Sequence, residues 1–139
     1  MPQTLKDVMT PNPIALSSSS SVFDAARSMK ESDIGDVIVL DNDQVCGIVT
    51  DRDITLRVVA EGKDPSSTLL GDCCSQNLIT LDPNSSVDEA VKLMRDNAIR
   101  RLPVVESGKP VGIVSLGDLA IQKDPKSVLA DISEAAPSE

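Results

Sequence analysis

"GIVTDRDI" (Gly47–Ile54) and "GIVSLGDL" (Gly112–Leu119) are two versions of one phrase, 65 residues apart. In each, a short aliphatic run meets a hydroxyl residue, and an acid stands three positions after it. The aliphatic run reads as a strand. The hydroxyl and acid at that spacing read as a capping box, in which each side chain satisfies a backbone N–H that an opening helix leaves without a partner. The phrase is therefore a strand running into a capped helix. The start of a helix also presents N–H groups and a partial positive charge that suit phosphate. A carboxylate one turn further in can accept two hydrogen bonds from a ribose diol. Thr50-x-x-Asp53 and Ser115-x-x-Asp118 are open to both readings, cap and ligand site.

The repeat extends outward from this phrase. Residues 7–54 lie over 72–119 without a gap, and 15 of the 48 pairs are identical, enough to mark a duplicated unit. Each copy opens on a short extended piece, "PIAL" or "LITL". Ser21-x-x-Asp24 and Ser86-x-x-Glu89 then signal a helix start. Val22, Ala25, Ala26 and Met29 follow at i, i+3, i+4 and i+7, as do Val87, Ala90, Val91 and Met94, giving one apolar helix face per copy. "VIVL" and "VCGIV" in the first copy, and "LPVV" and "PVGIV" in the second, read as antiparallel hairpins closed by "DNDQ" and "ESGK". The last helix begins at Thr50 or Ser115. The fold class is α+β: two pseudo-symmetric β-α-β-β-α units packed as one module. "EGKDPSS" (Glu61–Ser67) reads as the connection, which puts the units at 4–62 and 68–123 with a linker at 63–67. Residues 124–139 read as a short helix and a frayed tail.

Composition removes several function classes. A net charge of −9 leaves no basic face for nucleic acid. Phe23 is the sole aromatic, so base-stacking platforms are missing too. Arg95, Arg100 and Arg101 form a small basic cluster suited to one phosphate group. The chain has no histidine, which excludes Ser-His-Asp and Cys-His catalysis and removes the commonest metal ligand. The expectation is a protein that is not an enzyme and holds no metal. Cys46, Cys73 and Cys74 lack C-x-x-C spacing and read as structural thiols. No apolar run reaches the roughly 18 residues of a membrane span. The N-terminal stretch has no basic-then-apolar signal pattern, so a cytoplasmic location is expected.

Tandem β-α-β-β-α units, each ending in G-h-h-[S/T]-x-x-D, with "RRLPVV" ahead of the second, resemble a CBS-domain pair, the Bateman module. "TDRDI" and the short chain look like the stand-alone two-CBS proteins of bacteria. The resemblance implies an adenosyl ligand such as AMP, ADP or ATP, or NAD or S-adenosylmethionine, with no cofactor required. It places ribose on Asp53 and Asp118, and phosphate near Thr50 and Ser115. The base pockets would fall on Thr10, Ala15 and Ile34, and on Ser75, Thr80 and Ile99. Each cleft would draw on both units, Thr10 and Ala15 serving Asp118, Ser75 and Thr80 serving Asp53. The resemblance also puts basic residues for phosphate at Arg100–Arg101, where the first copy has Gly35–Asp36. A carboxylate beside phosphate is repulsive by about 1 kcal/mol in water, and Arg52 would offset it. The expectations are a ligand sensor acting on a separate partner protein, as a homodimer, without nucleic acid or membrane. The alternative is an interaction scaffold that keeps both aspartates only as caps.

Overall fold

Ser21 and Ser86 start two eleven-residue helices in the same way. A computed structural model of the chain describes residues 3–74 and 78–123, the last three by backbone alone. Ser75 and the helix and tail read over 124–139 lie outside the described residues. Ser21 accepts a hydrogen bond from the Asp24 N–H and Ser86 from that of Glu89, both at 3.1 Å. The helices they cap, here α2 (Val22–Ser32) and α5 (Val87–Asn97), bury Val22, Ala25 and Met29, and Val87, Ala90 and Met94. Both end on a left-handed residue, Asp33 or Ala98. The next N–H, of Ile34 or Ile99, bonds back to the carbonyl of Met29 or Met94, the long closing bond of a Schellman end.

The hairpins follow. In the first copy, β2 (Ala15–Ser17) runs parallel to β3 (Asp36–Asp41), and β3 is antiparallel to β4 (Gln44–Thr50). In the second copy, β5 (Arg101–Glu106) neighbours β6 (Lys109–Ser115). "LITL" is reduced to a single bridge, Leu81 to Val104. The reason is Pro103. Its counterpart 65 residues earlier, Ile38, donates its N–H to the Ile14 carbonyl at 2.9 Å. Proline has no N–H to give, so that bond cannot be repeated.

The chain folds as two bodies whose limits cross those of the sequence repeats. The Asp53 body comprises the described residues within Pro13–Leu78 and Gly108–Pro110. The Asp118 body comprises the described residues up to Asn12, Ile79–Ser107, and the described residues from Val111 onward. The lead-in segments have changed places. Helix α1 (Leu5–Val8) and strand β1 (Thr10–Pro11) belong with the second copy, and helix α4 (Leu70–Cys73) with the first. The attachments repeat with the same 65-residue offset. Leu5 and Lys6 donate N–H groups to the carbonyls of Ser85 and Pro83, as Leu70 and Gly71 do to those of Ser20 and Ser18. Leu5 and Leu70 are fully buried, each in the core of the body it enters. The stretch read as a linker is a hydrogen-bonded turn. Asp64 Oδ1 accepts from the Ser66 N–H, and the carbonyls of Pro65 and Thr68 accept from Phe23 and Val22 at the start of α2.

β1 pairs antiparallel with β6, with Thr10 opposite Ile113 and Pro11 opposite Gly112. A Cβ at Gly112 would collide with the Met9 side chain and lie 3.1 Å from the Thr10 carbonyl oxygen. Gly112 is therefore required where β1 crosses the start of the second phrase. Gly112→Ala is expected to lower unfolding free energy by about 1–3 kcal/mol, as overpacking does. Urea denaturation checks this, and an unchanged midpoint would mean that Met9 moves aside freely.

Candidate functional site

The two phrases fold alike. Thr50 caps α3 (Asp51–Ile54). Asp53 Oδ2 accepts the Thr50 N–H at 2.9 Å, and Thr50 Oγ1 accepts the Asp53 N–H at 3.1 Å. Ser115 precedes α6 (Leu116–Lys123). Asp118 Oδ2 accepts the Ser115 N–H at 3.0 Å, and Ser115 Oγ accepts the Asp118 N–H at 3.1 Å. Both capping boxes are reciprocal. One oxygen of each carboxylate is occupied and the side-chain rotamer is held. A carboxylate has about four acceptor positions, so capping leaves Oδ1 with capacity for a ligand hydroxyl.

A second pair of bonds draws the strand-leading segments to these helix starts. The Asp51 N–H donates to the Gly35 carbonyl at 3.0 Å, and the Leu116 N–H to that of Arg100 at 2.7 Å. Asp36 lies opposite Thr50 in the β3–β4 register, so their side chains share one face of the sheet. The first copy thus carries an acid beside its hydroxyl, where the second has Arg101.

The remaining expected residues divide between the bodies. Ala15, Ile34 and the exposed Arg52 lie in the Asp53 body with Thr50 and Asp53. Thr10, Thr80, Ile99, Arg100 and Arg101 lie in the Asp118 body with Ser115 and Asp118. Ile34 and Ile99 are partly buried against the cores of their bodies. Thr10 is brought into the body of Asp118 by the β1–β6 pairing. A concavity of about 360 Å³ in the Asp53 body takes in Asp41, Cys46, Asp72 and Cys74 and none of these residues.

Sequence reasoning missed Arg57. After α3 the chain widens into a π-helical turn, Thr55–Val59. The Thr55 hydroxyl donates to the Asp51 carbonyl at 3.0 Å, a back-bond that competes with the regular ladder. Arg57 on this turn directs Nε toward Asp53 Oδ1 at 3.9 Å. Its Nη1 donates to the carbonyls of Cys73 and Cys74, at 3.2 and 3.3 Å. The available signal was the 65-residue offset itself, which sets Arg57 against Gln122. Nearby, burial pushes the Cys73 and Cys74 thiols above their ordinary range; Cys74 adds to the shift at Cys73 and Cys46 to that at Cys74, while Arg57 partly offsets both. Burial, then Asp41, raises Cys46. Thiols so shifted are protonated at neutral pH and poor nucleophiles.

The CBS domain model matches residues 5–60 and 70–135. The CBS domain-containing protein YhcV of Bacillus subtilis (strain 168) is 38% identical over 120 residues, 86% of this chain and 85% of its own. Hypoxic response protein 1 of Mycobacterium tuberculosis is 32% identical over 118 residues, 84% and 82% of the two chains. The crystal structure of Hypoxic Response Protein I with two coordinated zinc ions matches at 31% identity and a TM-score of 0.77, over 86% of this chain and 98% of that one. The CBS domain pair of protein MJ0100, in complex with 5-methylthioadenosine and S-adenosyl-L-methionine, matches at 26% identity and a TM-score of 0.81, over 91% and 100%. The present chain lacks histidine. Among its described residues no three Cys, Asp or Glu side chains are grouped as metal ligands, and no helix is long and apolar enough to cross a membrane.

Proposed function

The chain belongs to the CBS domain family, and from that membership we propose that it is a regulatory module, not an enzyme, that binds an adenosine-containing ligand through Asp53 and Asp118. One observation supports the reading above the others. Asp53 and Asp118 are held by the same reciprocal box in both copies, Oδ2 at 2.9 and 3.0 Å from the hydroxyl residue's N–H. A carboxylate already fixed in one rotamer loses little entropy on taking a ribose diol, which favours affinity. The complex of MJ0100 with two adenosyl compounds supports the ligand class. AMP, ADP, ATP, NAD and S-adenosylmethionine all carry the required ribose. Thr10, Ala15, Ile34, Ser75, Thr80 and Ile99 are the proposed base-pocket residues, and Arg100 and Arg101 the proposed phosphate cations.

The module would act in the cytoplasm on a separate protein by shifting between ligand-dependent states. Phe23, Leu56 and Val59 are 47%, 46% and 63% exposed, apolar surface that a homodimer would cover. The capping boxes also favour a second reading, a scaffold in which both aspartates only cap helices. A thermal-shift series with the five ligands separates the two. A ligand at 100 times its dissociation constant stabilises by about 2.7 kcal/mol, or roughly 10 °C for a chain of this size. A flat response to all five would leave the scaffold reading standing.

A further inference from the structure

We infer that Arg57 is a positioning residue of the Asp53 site, tying the carboxylate proposed to hold ribose to the end of α4. This rests on the nucleotide reading above. Three contacts of one side chain carry it. Arg57 Nη1 donates to the Cys73 and Cys74 carbonyls, groups that a helix leaves without intrahelical partners at its end. The same guanidinium places Nε 3.9 Å from Asp53 Oδ1. That separation is too long for a hydrogen bond, so Arg57 attracts and orients the carboxylate without using up the oxygen that ribose needs. Asp53 Oδ2 is meanwhile fixed by the Thr50 N–H. The carboxylate is thus held from two sides, by the backbone of the strand end and by a cation anchored on α4.

The planar guanidinium suits this role, because its fork serves several acceptors in fixed directions at once. At the 65-residue offset the second copy has an uncharged residue, Gln122, in place of the guanidinium. Arg57 therefore makes the Asp53 site depend on α4.

The test uses the full chain carrying Asp118→Ala, so that calorimetry reports the Asp53 site, with adenosine and 2′,3′-dideoxyadenosine as probes. Arg57→Gln should weaken adenosine about fivefold, the upper range for a half-exposed ion pair. It should leave dideoxyadenosine, which lacks the diol, unchanged. Arg57→Lys keeps the charge but not the fork, and should restore little. In the ligand-free protein, amide exchange at Cys74, whose N–H bonds to the Leu70 carbonyl at 3.0 Å, should accelerate in Arg57→Gln. Equal losses for both nucleosides would reduce Arg57 to a structural residue. Unchanged exchange at Cys74 would remove the anchor. If the starting chain binds adenosine and Arg57→Gln binds it as well, the positioning role alone falls. If the unaltered chain binds neither adenosine nor AMP, the nucleotide reading falls and takes the role with it.

Discussion

Asp118→Ala is expected to weaken AMP binding by about ten- to a hundredfold, and Asp53→Ala by clearly less. The estimate comes from hydrogen bonds to a charged acceptor, worth roughly 1.5–3 kcal/mol each. Ribose contacts alone would make the two losses equal, since both carboxylates are held by the same box at nearly the same distances. The asymmetry must come from elsewhere. A mutation at a site of low intrinsic affinity removes little of the total, and under the proposed reading Asp36, opposite Thr50 in the strand register, would disfavour phosphate at the Asp53 site. The capping boxes add a complication with a measurable size. Each alanine variant also loses a carboxylate that satisfies a backbone N–H, which destabilises the free protein by about 1 kcal/mol. Titration calorimetry well below the unfolding transition separates that loss from binding. Asp118→Asn gives a further control. Its amide oxygen can still accept the Ser115 N–H, while its NH₂ group cannot accept from the diol. Equal losses from the two alanine variants, or a larger loss from Asp53→Ala, would overturn the argument.

The parts of this picture differ in how far they were legible in the sequence. The helix faces were, because Val22, Ala25 and Met29 and their counterparts obey a local period of 3.6. The hydroxyl–acid boxes were, because they span three residues. The exchange of lead-in segments was not. Leu5 and Leu70 have the same offset and the same apolar character, and nothing in a local pattern says which of two similar cores a leucine enters. Position in space decided it, through bonds such as Leu5 to Ser85 that join residues 80 apart in sequence. The shortened strand pairing at "LITL" was legible in principle, since Pro103 replaces a donor that Ile38 supplies. Arg57 lay just past the stretch compared, residues 7–54 against 72–119, and only the comparison with Gln122 distinguishes it.

Arg101→Ala should weaken AMP about ten- to a hundredfold while changing adenosine little, because a charge-assisted bond to phosphate contributes roughly 1.5–3 kcal/mol and adenosine has no phosphate to lose. Arg100→Ala should have the smaller effect of the two. The register supports that order. Arg101 is the counterpart of Asp36, which stands opposite Thr50 at the end of the hairpin, and it is half-buried as the first residue of β5. Arg100 is exposed, and its fixed contribution is a carbonyl bonded to the Leu116 N–H, which alanine would retain. Salt provides an independent check, since screening weakens an exposed charge contact over a length of about 8–10 Å near physiological ionic strength. AMP affinity should therefore fall with added salt in the unaltered chain and fall less in Arg101→Ala, whereas adenosine affinity should be nearly flat in both. The reciprocal change closes the argument. Asp36→Arg replaces a repulsive charge with an attractive one at the same strand-leading position, so it should raise AMP affinity at the Asp53 site and leave adenosine affinity there unaltered. An Arg101→Ala variant that loses adenosine as much as AMP, or an Asp36→Arg variant with no gain for AMP, would show that these strand-leading residues do not face phosphate.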